Sequence, residues 1–179
     1  MPNCRRNLLP GGTFFFTVNL HDRKSDLLVK HIDVLRAAIR RTAANAPFRI
    51  DAWVVLPDHM HRVWTSPNGD YDFPSRWRVI KATFSQSMPS EGAPTEAMAH
   101  RGYRGIWQRG YWEHTIRDDR DCAAHIEYTH FNPVKHGLVA SPSEWPFSTF
   151  RRWVSCGIYP ESWAGEGGRE ASCDMGERS

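Results

Sequence analysis

The chain has 179 residues, of which 40% are hydrophobic and 24% charged. That is enough apolar material for one compact core and an ordinary charge content for a water-exposed protein. No apolar run approaches the roughly 18 residues needed to cross a bilayer, and the start, MPNCRRNLLPGGT, lacks the apolar stretch of a secretory signal. Cys4, Cys122, Cys156 and Cys173 form no CxxC pair. This spacing excludes a zinc ribbon and points to free thiols in a reducing cytoplasm. The net charge is +3, but from Glu161 onward five acids face two bases, so residues 161–179 carry −3 and residues 1–160 carry +6. A basic body favours a polyanion partner without specifying one.

In chain order, Thr13–Leu20 (TFFFTVNL) is aromatic and β-branched after a Pro-Gly-Gly turn, and reads as a strand. Leu28, Ile32, Leu35 and Ile39 then recur at steps of four, three and four, which predicts one helix from about Ser25 to Ala44. Asn45 and Pro47 end it. Phe48–Leu56 predicts a second strand with Phe48, Ile50, Ala52 and Val54 on one face. Pro57-Asp58 turns the chain, and His59–Thr65 continues as a third strand, hairpin-paired with the second. Asp72 is placed to cap a second helix, with Pro74 in its first turn and Trp77, Ile80, Phe84 and Met88 on its buried face. Pro89 to about Gly102 is small and polar and reads as a mobile loop. Ile106–Ile116 predicts a fourth strand, bent at Gly110, and Asp118–Asn132 a third helix stopped by Pro133. Trp145, Phe147, Phe150 and Trp153 follow and should pack back on the body. The order β-α-β-β-α-β predicts an α+β, ferredoxin-like antiparallel sheet with helices on one face, followed by a further helix. The first and third strands would be central. Residues 1–160 form one domain in this reading, and 161–179 an acidic, disordered tail.

Residues i and i+2 of a strand share a face, so His59 and His61 can converge on one ion while Met60 points away. Nine histidines make one His-x-His pair a common accident. The third helix adds weight. Tyr128 and Asn132 are four apart and lie on one helical face. An Asn oxygen beside two imidazoles makes a mixed N/O site suited to Mg²⁺ or Mn²⁺ with positions open for phosphate oxygens. Tyr128 could then attack phosphorus and become covalently joined to DNA. The bland alternatives are a core tyrosine with its hydroxyl at the surface, and an asparagine marking a helix end.

Two basic stretches without acids flank these elements. Arg76, Arg78 and Lys81 lie on the second helix. Arg101, Arg104 and Arg109 interleave with Tyr103, Trp107, Tyr111 and Trp112. Arginines hold phosphates and aromatic faces stack on unpaired bases, although alternate strand residues must be buried in any case. Lys135 and His136 follow Tyr128 and are placed to touch phosphate.

LPDHMH (Leu56–His61), GIWQRGYWEHTIRDDRD (Gly105–Asp121) and HIEYTHFNPVKHGLV (His125–Val139) closely resemble the REP-associated tyrosine transposases. So do RRNLLPGGTFFFTVN near the start and WPFSTF at Trp145–Phe150. These belong with the single-tyrosine HUH transposases of the smallest insertion sequences. The resemblance covers about residues 3–153. It implies a ferredoxin-like fold, single-stranded DNA substrates with hairpins, a divalent metal and a 5′-phosphotyrosine intermediate. By resemblance, the HUH pair falls on His59 and His61, the nucleophile on Tyr128 and the helix-borne third ligand on Asn132. Thr129 departs from the larger aliphatic residue expected there. Competing readings are a DNA-binding regulator that has lost cutting, and a metallohydrolase or iron oxygenase using Asp58 or Glu113 as a carboxylate ligand. Monomer and homodimer are both open.

Overall fold

The computed structural model describes residues 9–88 and 105–165. Four strands, β1 (Thr13–Asn19), β2 (Arg49–Val55), β3 (His59–Thr65) and β4 (Trp112–Thr115), form one sheet in the order β2-β3-β1-β4. All three pairings are antiparallel. β1 and β3 are therefore central, in the ferredoxin-like order expected. The apolar run of β1 fits this position, because a central strand covered on both faces buries successive residues. The β1–β3 register sets Thr17 opposite His61 and Asn19 opposite His59.

The expected first helix is interrupted. A single turn, α1 (Leu27–Lys30), meets α2 (Ile32–Asn45) at His31, whose φ of −115° and ψ of 37° are not helical. The break ties α1 to the β2–β3 turn, where the Leu28 N–H donates to the Pro57 carbonyl at 3.1 Å. The apolar face survives the break, with Leu28, Leu35 and Ile39 all buried. Helix α3 (Phe73–Gln86) starts as predicted: Asp72 accepts from the Ser75 N–H, and Pro74 sits in the first turn.

Helix α4 (Asp119–Lys135) starts at Asp118, which accepts from the Asp121 N–H at 2.8 Å. It passes through Pro133 rather than stopping there. Pro133 cannot donate to the Thr129 carbonyl and its ring crowds that carbonyl, yet only two helical residues follow it. Gly137, with φ +68°, ends the helix: Leu138 N–H donates to Pro133 O at 3.0 Å and Gly137 N–H to Val134 O at 2.9 Å. Those are the two hydrogen bonds of a glycine C-cap.

Both faces of the sheet are covered. Phe14, Phe16, Val18, Met60 and Trp64 pack under α1, α2 and α3. Phe15, Ala52 and Val63 pack under Ile126 and Tyr128 of α4. β2 does not keep one face as predicted. A register shift between Ile50 and Ala52 reverses its side-chain parity, so Phe48 and Ile50 join the first core and Ala52 the second. Arg62 is fully buried in the first core. Its guanidinium lies 4.6 Å from the Trp53 ring centroid and 5.2 Å from that of Trp77, and it makes no hydrogen bond. Burial pushes this group down to about 9.

β4 is shorter than predicted. Gly110, with φ +80°, separates Trp112–Thr115 from a single bridge between Leu20 and Trp107. After α4, a 3-10 turn (Pro142–Glu144) and α5 (Phe150–Ser155) follow. The chain between them runs along the outer edge of β2: Val55 N–H donates to Phe147 O, and Thr149 N–H to Trp53 O, each at 2.8 Å. This covers an otherwise open sheet edge. The body extends past the expected boundary at residue 160. Trp163 stacks on Tyr159 at 4.7 Å and lies near Phe150. The remainder of the acidic tail, 166–179, and the loop expected at 89–102 lie outside the described residues. Among the described residues, no helix is long and apolar enough to cross a membrane.

Candidate active site

His59, His61 and Tyr128 come together between the sheet and α4. His59 and His61 point to the α4 side of β3, and Met60 and Arg62 to the other core. The two imidazole centroids are 5.1 Å apart, and the His61 ring lies 5.2 Å from that of Tyr128. All three residues are buried. Phe15, on the neighbouring strand, sits beneath both His61 and Tyr128.

The Nδ1 atom of each histidine is held in place. His59 Nδ1 is 2.7 Å from Asp58 Oδ1, and the other oxygen of Asp58 is 3.0 Å from Arg23 Nη1. Arg23 also donates to Asn19 Oδ1 at 3.0 Å. His61 Nδ1 is 2.9 Å from Thr17 Oγ1, its cross-strand neighbour. His59 Nε2 is buried without a hydrogen-bond partner. Burial holds the His59 imidazole below its ordinary value, against the opposing pull of Asp58. Burial raises the Asp58 carboxyl, but its hydrogen bond to His59 and the charge of Arg23 outweigh this and leave it low. The network thus assigns a neutral His59 that donates from Nδ1 and keeps a lone pair on Nε2. That is the form a metal ligand requires, with the oriented carboxylate behind it.

Tyr128, Asn132 and Lys135 share one face of α4 at steps of four and three. Tyr128 and Asn132 are buried. Lys135 Nζ donates to Tyr128 Oη at 3.0 Å and lies 4.7 Å from the ring centroid. His136, just past the helix, sets its ring 5.0 Å from that of His59. The residue types fit a divalent cation: an orphaned imidazole nitrogen, a second oriented imidazole and an amide oxygen on the facing helix.

A second cluster lies on the same side of the sheet. His114, Asp121 and His125 could hold an ion, with ligand atoms all within 4.8 Å of one another. The His114 and His125 rings are stacked, 4.5 Å apart at 13°. Imidazole lone pairs lie in the ring plane, so one ring must turn before both can meet one ion. As placed, Asp121 joins β4 to the start of α4 by accepting from His114 at 2.9 Å and from Arg117 at 3.1 Å.

The residues expected to contact DNA divide. Arg78, Lys81, Trp107 and Arg109 line one cavity of about 380 Å³ between α3 and the segment Gly105–Gly110. Trp107 is 3% exposed and packs on Phe84 at 5.3 Å, so its ring face serves the core. Lys81 donates to the carbonyls of Gln108 and Gly110, and burial pushes its amine down to about 8. Arg76 is 3% exposed and committed to the fold. It pairs with both oxygens of Asp70 and donates to Ala46 O at 3.0 Å and Pro47 O at 2.9 Å. Arg76 was expected on a DNA-binding face, but its nearly buried guanidinium is held by Asp70 and the Ala46 and Pro47 carbonyls. Arg101 and Arg104 lie outside the described residues. Thr17, Arg23 and Asp58 support the histidines and were not singled out by spacing in this role. Asp58 could have been suspected, since it directly precedes His59.

The chain is 48% identical to the REP-associated tyrosine transposase of Escherichia coli (strain K12) over 166 residues, covering 93% of each chain. This chain belongs to the REP-associated tyrosine transposases. It is also 41% identical to a putative REP-associated tyrosine transposase of Haemophilus influenzae over 167 residues, covering 92% of this chain and 94% of that one. A solved REP-associated tyrosine transposase bound to a REP hairpin superposes with a TM-score of 0.85 at 47% identity, covering 100% of this chain and 99% of the other. No family model matches the chain. The membership makes the chain an enzyme of the transposase class and agrees with the α+β sheet described above.

Proposed function

We propose that this transposase binds hairpin DNA and cuts and rejoins the adjoining single strand through Tyr128. In the forward step the Tyr128 oxygen bonds to phosphorus as the bond from phosphorus to the 3′ oxygen breaks. The 5′ phosphate remains on the tyrosine and a 3′ hydroxyl is released. The phenol proton goes to solvent, and water protonates the departing oxygen. His59, His61 and Asn132 would hold Mg²⁺ or Mn²⁺, which supplies charge neutralisation and polarisation of the phosphate when bound. Asp58 and Thr17 fix the two imidazoles so that neither must reorient during the reaction.

The observation that carries this reading is the pair of facing histidines, each tied through Nδ1, with the His59 Nε2 buried and unpartnered and the His61 ring 5.2 Å from that of Tyr128. A buried nitrogen without a partner carries a desolvation cost that a bound ion would relieve. Hairpin DNA as substrate is supported by the solved relative, which was captured with a REP hairpin, and by the arginine-rimmed cavity beside α3.

The test is incubation of the protein with labelled single-stranded hairpin DNA and Mn²⁺, followed by a denaturing gel. A protein–DNA adduct that survives denaturation is expected. Hairpin binding with no adduct would instead favour a regulator that has lost cutting.

A further inference from the structure

We infer that Lys135 is a positioning residue for the nucleophile: it aims the Tyr128 hydroxyl and carries the counter-charge for its oxygen during cleavage and rejoining. The inference rests on the cleavage reading above. Lys135 is seven residues beyond Tyr128, two helical turns along the same face of α4. Helical side chains lean toward the N-terminus, so the lysine stem reaches back over the tyrosine ring. Its Nζ both donates to Tyr128 Oη, at 3.0 Å, and sits 4.7 Å from the ring centroid. The Lys135 residue is exposed, so the core does not need it for packing. An ammonium in the last turn of a helix is favoured by the helix dipole.

The geometry has a chemical consequence. As Tyr128 attacks, its oxygen loses a proton to solvent and forms the bond to phosphorus. In rejoining, the 3′ hydroxyl attacks the phosphotyrosine and the Tyr128 oxygen leaves with its electron pair. In both directions that oxygen carries more negative charge near the transition state than as a resting phenol. A hydrogen bond from an ammonium strengthens as its acceptor becomes charged. The lysine supplies no proton to either oxygen. The rival role is a plain phosphate contact, which would contribute to DNA affinity and leave the rate for bound DNA unchanged.

The experiment compares the full wild-type chain with Lys135→Met and Lys135→Arg, using a labelled single-stranded hairpin. It measures the dissociation constant, the single-turnover rate of adduct formation at saturating DNA, and the Mn²⁺ concentration for half-maximal rate. Loss of a charge-assisted hydrogen bond slows the methionine variant by about 10- to 100-fold. Its affinity should stay within about twofold, its Mn²⁺ requirement should be unchanged, and arginine should restore most of the rate. A methionine variant with weaker affinity and a normal saturated rate overturns the inference and makes Lys135 a phosphate contact. An altered Mn²⁺ requirement, or no rescue by arginine, overturns it in favour of a structural role. If wild type forms no adduct, the cleavage reading fails as well. A normal wild type beside an unaffected methionine variant sinks this inference alone.

Discussion

Phe15 is the common floor of the candidate site, and replacing it tests whether the sheet holds the site's geometry. It is fully buried on the central strand. Its ring centroid lies 5.5 Å from that of His61, 5.9 Å from Tyr128, 4.9 Å from His125 and 5.7 Å from Trp112. Phe15→Leu keeps most of the apolar area and removes the flat surface against which those rings rest. Truncation of a buried phenylalanine to alanine costs about 3–5 kcal/mol. A hydrophobic swap of similar volume costs under about 1.5 kcal/mol. Each lost aromatic pair adds about 0.5–1.5 kcal/mol, and pairs sharing one ring do not sum. The expected loss is therefore about 2 kcal/mol. The larger effect falls on the chemistry: a displacement near 1 Å between His61 and Tyr128 should slow adduct formation about 100-fold. Urea unfolding measures the first quantity, and single-turnover kinetics at saturating hairpin DNA the second. A variant that loses the stability but keeps the wild-type rate would refute the claim that Phe15 sets the spacing of histidine and tyrosine.

Asp70→Asn should cost about 1–2 kcal/mol near neutral pH, discounted for the partial exposure of Asp70. The hydrogen bond from Arg76 lowers the Asp70 carboxyl to about 2 from 3.8. The pair's contribution is thus full above pH 4 and fades as pH falls through 2; a wild-type-to-variant gap that stays constant from pH 6 to pH 2 would contradict this. Arg78→Ala, at the cavity rim, should weaken hairpin binding and reduce the salt slope by about 0.7, the value for one phosphate contact on a single strand. Arg76→Ala should instead lower the unfolding midpoint and leave that slope unchanged. Chelation by EDTA should stop adduct formation while hairpin binding, followed by gel shift, persists.

The strand order and the central place of His59 and His61 were legible because β1 carries a long aromatic and β-branched run and β3 follows the Pro57-Asp58 turn as hairpin partner of β2. Period-two spacing then put both histidines on one face, and period 3.6 put Tyr128 and Asn132 on another. Other features depend on contacts remote in sequence. The break at His31 accompanies a hydrogen bond from Leu28 to Pro57, and the bulge in β2 reverses a face that strict alternation had assigned. Pro133 read as the stop, but the helix runs two residues past it and Gly137 supplies the actual cap. Arg76 read as a DNA contact because its chain neighbours are basic. Its partner, Asp70, lies six residues back across the turn that precedes α3. Trp107 read as a stacking platform because local pattern does not say which face of a strand is covered. Nor did spacing indicate that Lys135 would fold back onto Tyr128, since that contact depends on a rotamer as well as the helical period.

The most direct test of the central claim is adduct formation by single tyrosine variants with labelled single-stranded hairpin DNA and Mn²⁺. Tyr128→Phe removes one hydroxyl and keeps the ring packed against Phe15 and His61, so hairpin affinity and thermal stability should remain near wild type. The covalent adduct should vanish at every Mn²⁺ concentration, while Tyr103→Phe and Tyr111→Phe should retain it. A Tyr128→Phe protein that still forms the adduct would contradict the assignment of the nucleophile and, with it, this account of the site.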